Sequence, residues 1–311
     1  MRAAPSKGTT TMERAHRGIA PVDRLRPAFV LSAILVVLLI AVSIPGIFIA
    51  GFYHDTPAVT ATDRGNDLVS LLLIAPALAV SLAYSMRGSL RAQIIWLGLT
   101  GWAAYNFAIY AYGLNFTPMF LVQVAILSLA IFILAIVIRR VDTAGLATQF
   151  GTVPRRTVAG FLWLVAAVFG FLWLSDVMPA TLSGGTPAAL AKLKTTSNPV
   201  EVNDLAIIVP VLVVAGLWTW VRRPVGYLLA GVMLVVATAT VGAIVPGGPL
   251  FGGVAFDPMY AAVALVSLLL LVTFLSRVHR AAGTVSRPRL DGPDVVRATG
   301  AGASIPLGGE G

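Results

Sequence analysis

Eight stretches of the chain run for 17 to 25 residues without a single Asp, Glu, Lys, Arg or His, and segments carrying the charges separate them. They extend from Ala28 to Phe52, Leu68 to Met86, Ala92 to Gly113, Pro118 to Ile138, Thr157 to Leu174, Leu205 to Val221, Pro224 to Val245 and Met259 to Ser276. About 20 helical residues cross a hydrocarbon core of about 30 Å, so each stretch predicts a transmembrane helix. The pattern reads as an all-α polytopic integral membrane protein with eight spans. The sixth stretch is the shortest and carries Pro210, which makes it the weakest of the eight. Pro45 and Pro76 each remove a backbone donor within a span and predict kinks.

The intervening segments give an orientation. Taken alternately, one set of segments holds 19 of the 22 Lys and Arg residues, leaving only Arg64, Lys192 and Lys194 on the other side. Basic residues collect in cytoplasmic loops, so both termini are expected in the cytoplasm of a bacterial plasma membrane. The expected organisation is a basic N-terminal segment over 1–27, a first four-helix unit over 28–138 and a cytoplasmic linker over 139–156. A second four-helix unit over 157–276 and a disordered C-terminal tail over 277–311 follow. The first apolar stretch is of full spanning length and follows a polar segment, so no cleavable signal peptide is expected.

A repeat supports the division into units. NDLVSLLLIAP at 66–76 and NDLAIIVP at 203–210 fall at the same end of the second and sixth spans. TPA precedes each phrase, at 56–58 and at 186–188. TPMF at 117–120 and DPMY at 257–260 then open the fourth and eighth spans. Common order and side suggest a 4+4 tandem duplication, with two units of parallel orientation related by an axis along the membrane normal. Asn and Asp suit the free N–H groups and positive dipole at a helix start. Asp67 and Asp204 are therefore expected as caps, or as an acidic pair on the outer rim of a cavity that attracts cations.

Composition then limits the chemistry. With 58% hydrophobic and 11% charged residues among 311, an ordinary soluble fold is excluded. The net charge of +9 is spread over juxtamembrane segments, which explains it without nucleic acid as a partner; Arg14, Arg17, Arg24 and Arg26 suit contact with anionic lipid. The chain has no cysteine, hence no disulfide or thiolate metal site. Its three histidines, His16, His54 and His279, all fall in tails or loops, so no haem or metal is expected. No catalytic residue is assigned, because no hydrolase, P-loop or dinucleotide motif is present. The spans as drawn contain no ionisable group, which argues against a proton-coupled carrier.

The densest polar chemistry lies in the third span and its hairpin with the fourth. Trp102, Asn106 and Tyr110 share a helix face, Tyr105 is beside them, and Ala104 and Ala108 offer a small surface for close packing. Gln123 in the fourth span falls at about the same depth as Asn106, roughly 10 Å below the surface at 1.5 Å per residue. Asn106 is expected to point inward and bond Gln123 or a tyrosine hydroxyl. These five residues are either a structural clasp between helices, with Tyr110 and Tyr112 in an interfacial belt, or the wall of a ligand pocket. Among the connections, Thr186-Pro187 with AALAKLK predicts a short capped helix, and GGPLFGG at 247–253 a flexible loop.

The phrase YNFAIYAYGLNFTPMFLVQVAILSL, with weaker similarity at SNPVEVNDL, resembles a group of uncharacterised polytopic bacterial membrane proteins. The resemblance implies a shared helical membrane fold and carries no substrate, cofactor or catalytic residue. Two functions fit the sequence: a small carrier or binder of an apolar or neutral molecule, with Trp102, Tyr105, Asn106, Tyr110 and Gln123 lining its site, and a non-catalytic subunit or scaffold. The scaffold would pack against a membrane protein partner or a second copy. An intramembrane enzyme fits less well, for want of acid, base or metal ligands.

Overall fold

The computed structural model describes residues 18–278 except Lys194, Thr196 and residues 252–257; within helices it gives only the backbone of 192–193 and 244–249. The N-terminal segment as far as Arg17, with Arg14 and His16, lies outside the described residues, as do Lys194, the repeat mark at Asp257, His279 and the tail beyond it.

Among the described residues, eight helices are long and apolar enough to cross a membrane: Val22–Phe48, Pro57–Ser85, Leu90–Gly113, Phe120–Ile138, Arg155–Ser183, Pro199–Trp220, Pro224–Ala243 and Pro258–Ser276. They are called the first to eighth spans below. The fold is that of an all-α polytopic membrane protein. Apolar side chains such as Leu121, Phe132, Ile138, Phe171 and Leu182 stand exposed on its flank, the surface that lipid covers.

Three spans begin or end well outside the apolar runs. The second starts at Pro57, and its first turns are TATDRGND rather than loop. Pro suits a first turn, where its missing N–H costs nothing. The sixth starts at Pro199, capped by Asn198, whose Oδ1 accepts from the Val200 N–H at 3.2 Å. The fifth continues through Ser183 and stops at Gly184, which has a φ of 67°, a value that favours glycine. The seventh helix continues as far as Phe251. The segment expected as a GGPLFGG loop is therefore helical up to that residue. The short helix after Pro187 is present at Ala188–Leu193. It is capped from a distance: the Asp176 carboxylate accepts from the Ala188 and Ala189 N–H groups at 3.1 and 3.2 Å.

The prolines leave a specific mark in the second and sixth spans. Each helix widens into a π-helical turn, at Ser70–Ile74 and Asp204–Ile208. The Ala75 N–H reaches the Ser70 carbonyl and the Val209 N–H reaches that of Asp204. Pro76 and Pro210 follow immediately. A proline ring collides with the carbonyl four residues earlier and offers no N–H; one extra residue in the turn relieves both problems. Each turn begins six residues before its proline.

The seventh span is central, packed against the second, third, sixth and eighth. Its approach to the third needs glycine: a Cβ on Gly98 would collide with the Val235 side chain and stand 3.0 Å from the Val232 carbonyl oxygen. Several neighbour relations recur in the two halves. The first span packs on the second as the fifth does on the sixth, and the second on the seventh as the start of the sixth does on the third. The halves differ elsewhere, since the first span packs extensively on the fourth, whereas between the fifth and eighth the Phe169 and Tyr260 rings lie 6.0 Å apart. All eight spans belong to one compact unit.

At the arginine-rich end, two glutamines secure the start of the described chain. The Ile19 N–H donates to Gln93 Oε1 at 2.7 Å, the Gly18 N–H to Gln149 Oε1 at 2.9 Å, and Gln149 Nε2 returns a bond to the Gly18 carbonyl at 2.9 Å. Arg91 binds the Val278 carbonyl at 2.7 Å. At the opposite end, Asp55 accepts from the Asn115 N–H at 3.2 Å, tying the first loop to the turn between the third and fourth spans.

Candidate functional site

Extending the second and sixth helices brings into the bundle the carboxylates that the apolar runs seemed to exclude. Asp63 and Asp67 on the second span are 4% and 1% exposed, and Glu201 and Asp204 on the sixth are 6% and 7% exposed. The expectation of spans free of ionisable groups is thereby overturned. So is the expectation of caps: Asp67 lies ten residues inside its helix and Asp204 five inside its own, counted from Pro57 and Pro199. Both are buried. Burying these side chains is affordable because neighbouring helices, not lipid, surround them.

Asp67 sits in a closed polar knot. Tyr53 donates its hydroxyl to Asp67 Oδ2 at 2.6 Å, and Gly46 of the first span lies so close that a Cβ there would overlap that oxygen. Burial, reinforced by the negative charges of Asp67 and Asp63, pushes the Tyr53 phenol well above its ordinary pKa, so it remains a donor. The Tyr53 ring meets Tyr110 edge-on at 6.2 Å, and the Tyr110 hydroxyl donates to the Asp63 backbone carbonyl at 3.1 Å.

Beside this knot lies a cavity of about 250 Å³, at the end of the bundle opposite the arginines. The second span contributes Ala58, Thr62, Asp63 and Asn66 to its wall, and the third span contributes Trp102, Tyr105, Asn106 and Ile109. The sixth closes it with Asn198, Pro199 and Val200, joined by Thr195 before it and Thr240 of the seventh. Helical spacing explains the layout: Asp63 and Asn66 are three apart and Trp102 and Asn106 four apart, so each pair shares a face. Asp63 Oδ2, Thr195 Oγ1 and Thr240 Oγ1 are buried without hydrogen-bond partners.

A second, smaller cavity of about 80 Å³ lies against the fifth and eighth spans. Asp204 lines it with Trp173, Phe169, Met233 and Tyr260. Trp173 Nε1 donates to Asp204 Oδ2 at 2.8 Å, and Tyr105 lines the same cavity. Tyr105, Val200 and Thr240 belong to the walls of both cavities.

The five residues singled out in the hairpin thus separate. Trp102, Tyr105 and Asn106 are on the wall of the larger cavity, whereas Tyr110 is turned toward the Asp63 carbonyl and Gln123 lines neither cavity. Gln123 is buried with its Nε2 unpartnered, and among the described residues no hydrogen bond joins it to Asn106. Equal depth did not bring the two amides together. Tyr112, expected in an interfacial belt, is half exposed and donates to Asn203 Oδ1 of the sixth span. The sequence reading missed Asp63, Asn66, Thr195 and Asn198. The Asn198-Pro199 pair, a cap followed by a first-turn proline, and the Asp63/Asp67 spacing of four would have extended both helices and found most of them.

No family model, no curated protein and no solved structure matches the chain.

Proposed function

We propose that this integral membrane protein binds, and carries across or along the membrane, a small largely apolar molecule held in the larger cavity. The observation that carries the reading is the cavity itself. It is formed where four spans from both halves meet, and polar groups from three of them converge on an otherwise apolar chamber. Ligand sites have this character, and at about 250 Å³ the chamber suits a molecule smaller than a drug. The distribution of arginines supports a bacterial plasma membrane with both termini cytoplasmic, which sets the cavity on the outer side. The recurring neighbour relations and the paired π turns support descent from a duplicated four-helix unit.

Isothermal titration of the purified protein in detergent with cyclohexanol, a compact neutral probe, tests the reading. Saturable binding is expected, and Thr62→Trp, which fills the chamber, should remove it while the protein stays monodisperse. Binding that survives Thr62→Trp would place the ligand elsewhere. The scaffold reading draws on Tyr110, which fastens the third span to the second rather than facing the chamber. No binding by the wild type, with a stoichiometric protein partner retained through purification, would favour it.

A further inference from the structure

We propose that the larger cavity is selective for a small organic ammonium ion, with Asp63 as the group that receives the charge; this rests on the cavity being a ligand site. Asp63 lines the chamber, is 4% exposed, and has an Oδ2 with no hydrogen-bond partner. A carboxyl group in such surroundings is held neutral by its own proton or is matched by a cation. Among the described residues no cation is paired with it, and no ion pair reaches Asp67, Glu201 or Asp204. The adjacent arginine is directed elsewhere, since Arg64 donates to the Ile47 carbonyl at 2.9 Å and its guanidinium lies 4.8 Å from the centre of the Phe251 ring.

The other walls complete the recognition. Asn66, Asn106 and Thr195 provide acceptor oxygens for ammonium N–H groups. Trp102 and Tyr105 present aromatic rings, whose faces attract cations. Ile109 and Val200 provide apolar surface for a hydrocarbon body. A calcium ion fits less well, because it takes six to eight oxygens in a shell and the walls are mainly apolar.

The test compares two probes of one shape. Cyclohexylamine is protonated at neutral pH and cyclohexanol is not. By titration, the wild type should bind cyclohexylammonium about tenfold tighter or more, as expected for a charge-assisted hydrogen bond. Asp63→Asn should abolish that preference, whatever its effect on the affinity for cyclohexanol. Equal binding of both probes by the wild type overturns the ammonium proposal and leaves the cavity reading standing. Preference retained in Asp63→Asn also overturns it. Binding of neither probe removes the cavity reading itself. Should Asp63→Asn not fold, the unaltered protein is treated with dicyclohexylcarbodiimide and the modified peptides are identified by mass spectrometry. Cyclohexylammonium, but not cyclohexanol, should protect Asp63. A site that is unprotected, or that the reagent never reaches, overturns the proposal.

Discussion

The two Asn-Asp-Leu phrases share three residues and a π-helical turn, yet their aspartates occupy unlike surroundings. Asp67 is sealed between Tyr53 and Gly46 and lines neither chamber, whereas Asp204 faces the smaller chamber and is held by an indole N–H. The prolines explain the divergence. Asp67 precedes Pro76 by nine residues and Asp204 precedes Pro210 by six. If the helices are registered on their widened turns, Asp67 corresponds to Glu201, and Ser70 to Asp204. The matching letters and the matching geometry are thus offset by three residues, close to one helical turn. The difference teaches that a short sequence repeat marks a similar place in the fold without assigning similar roles to its residues.

The contrast can be broken most sharply by accessibility. The chain has no cysteine, so single cysteines report without background. A small water-soluble thiol reagent should modify Asp204→Cys readily and Asp67→Cys hardly at all in the folded protein; equal rates would erase the distinction between sealed and cavity-facing sites. Next in size is Gly46→Leu, which drives a branched side chain into the Asp67 carboxylate. A loss of about 3 kcal/mol is expected, seen as failure to recover monodisperse protein or as a large fall in unfolding temperature.

Smaller effects sharpen the comparison. Tyr53→Phe removes the donor to a fully enclosed oxygen and should cost about 1–3 kcal/mol. Trp173→Phe should cost no more than about 1 kcal/mol, since the chamber remains open to Asp204. Denaturant titration of both variants ranks them, and a reversed order would show that Asp204 is the more dependent on its partner. Smallest in stability are Pro76→Ala and Pro210→Ala, expected within about 1 kcal/mol. Each lets its turn narrow and rotates the segment toward the cavities by up to about 100°, so cyclohexanol affinity should fall in both. Unchanged affinity would show that the widened turns do not position the chamber walls.

Much of the fold was legible because lipid imposes one simple demand, a long run of apolar residues, and all eight runs are helices. What the runs hid were the helix ends lying against protein. The turns TATDRGND look like loop by polarity, but they pack on the seventh span, where protein groups rather than lipid meet their side chains. The site was legible only in part for a related reason. Helical spacing put Trp102 and Asn106 on one face, which is a property of a single helix. Which neighbour a face meets depends on the rotation of other spans, and this turned Tyr110 toward the Asp63 carbonyl and kept Gln123 away from both chambers. Asp63 was invisible while its helix was thought to start at Leu68.

The wall common to the two chambers has a consequence of its own. Tyr105, Val200 and Thr240 face the smaller chamber on one side and the larger on the other, so a guest that displaces one of these side chains pushes it toward the other chamber. Two guests held at once would be divided by little more than these three side chains.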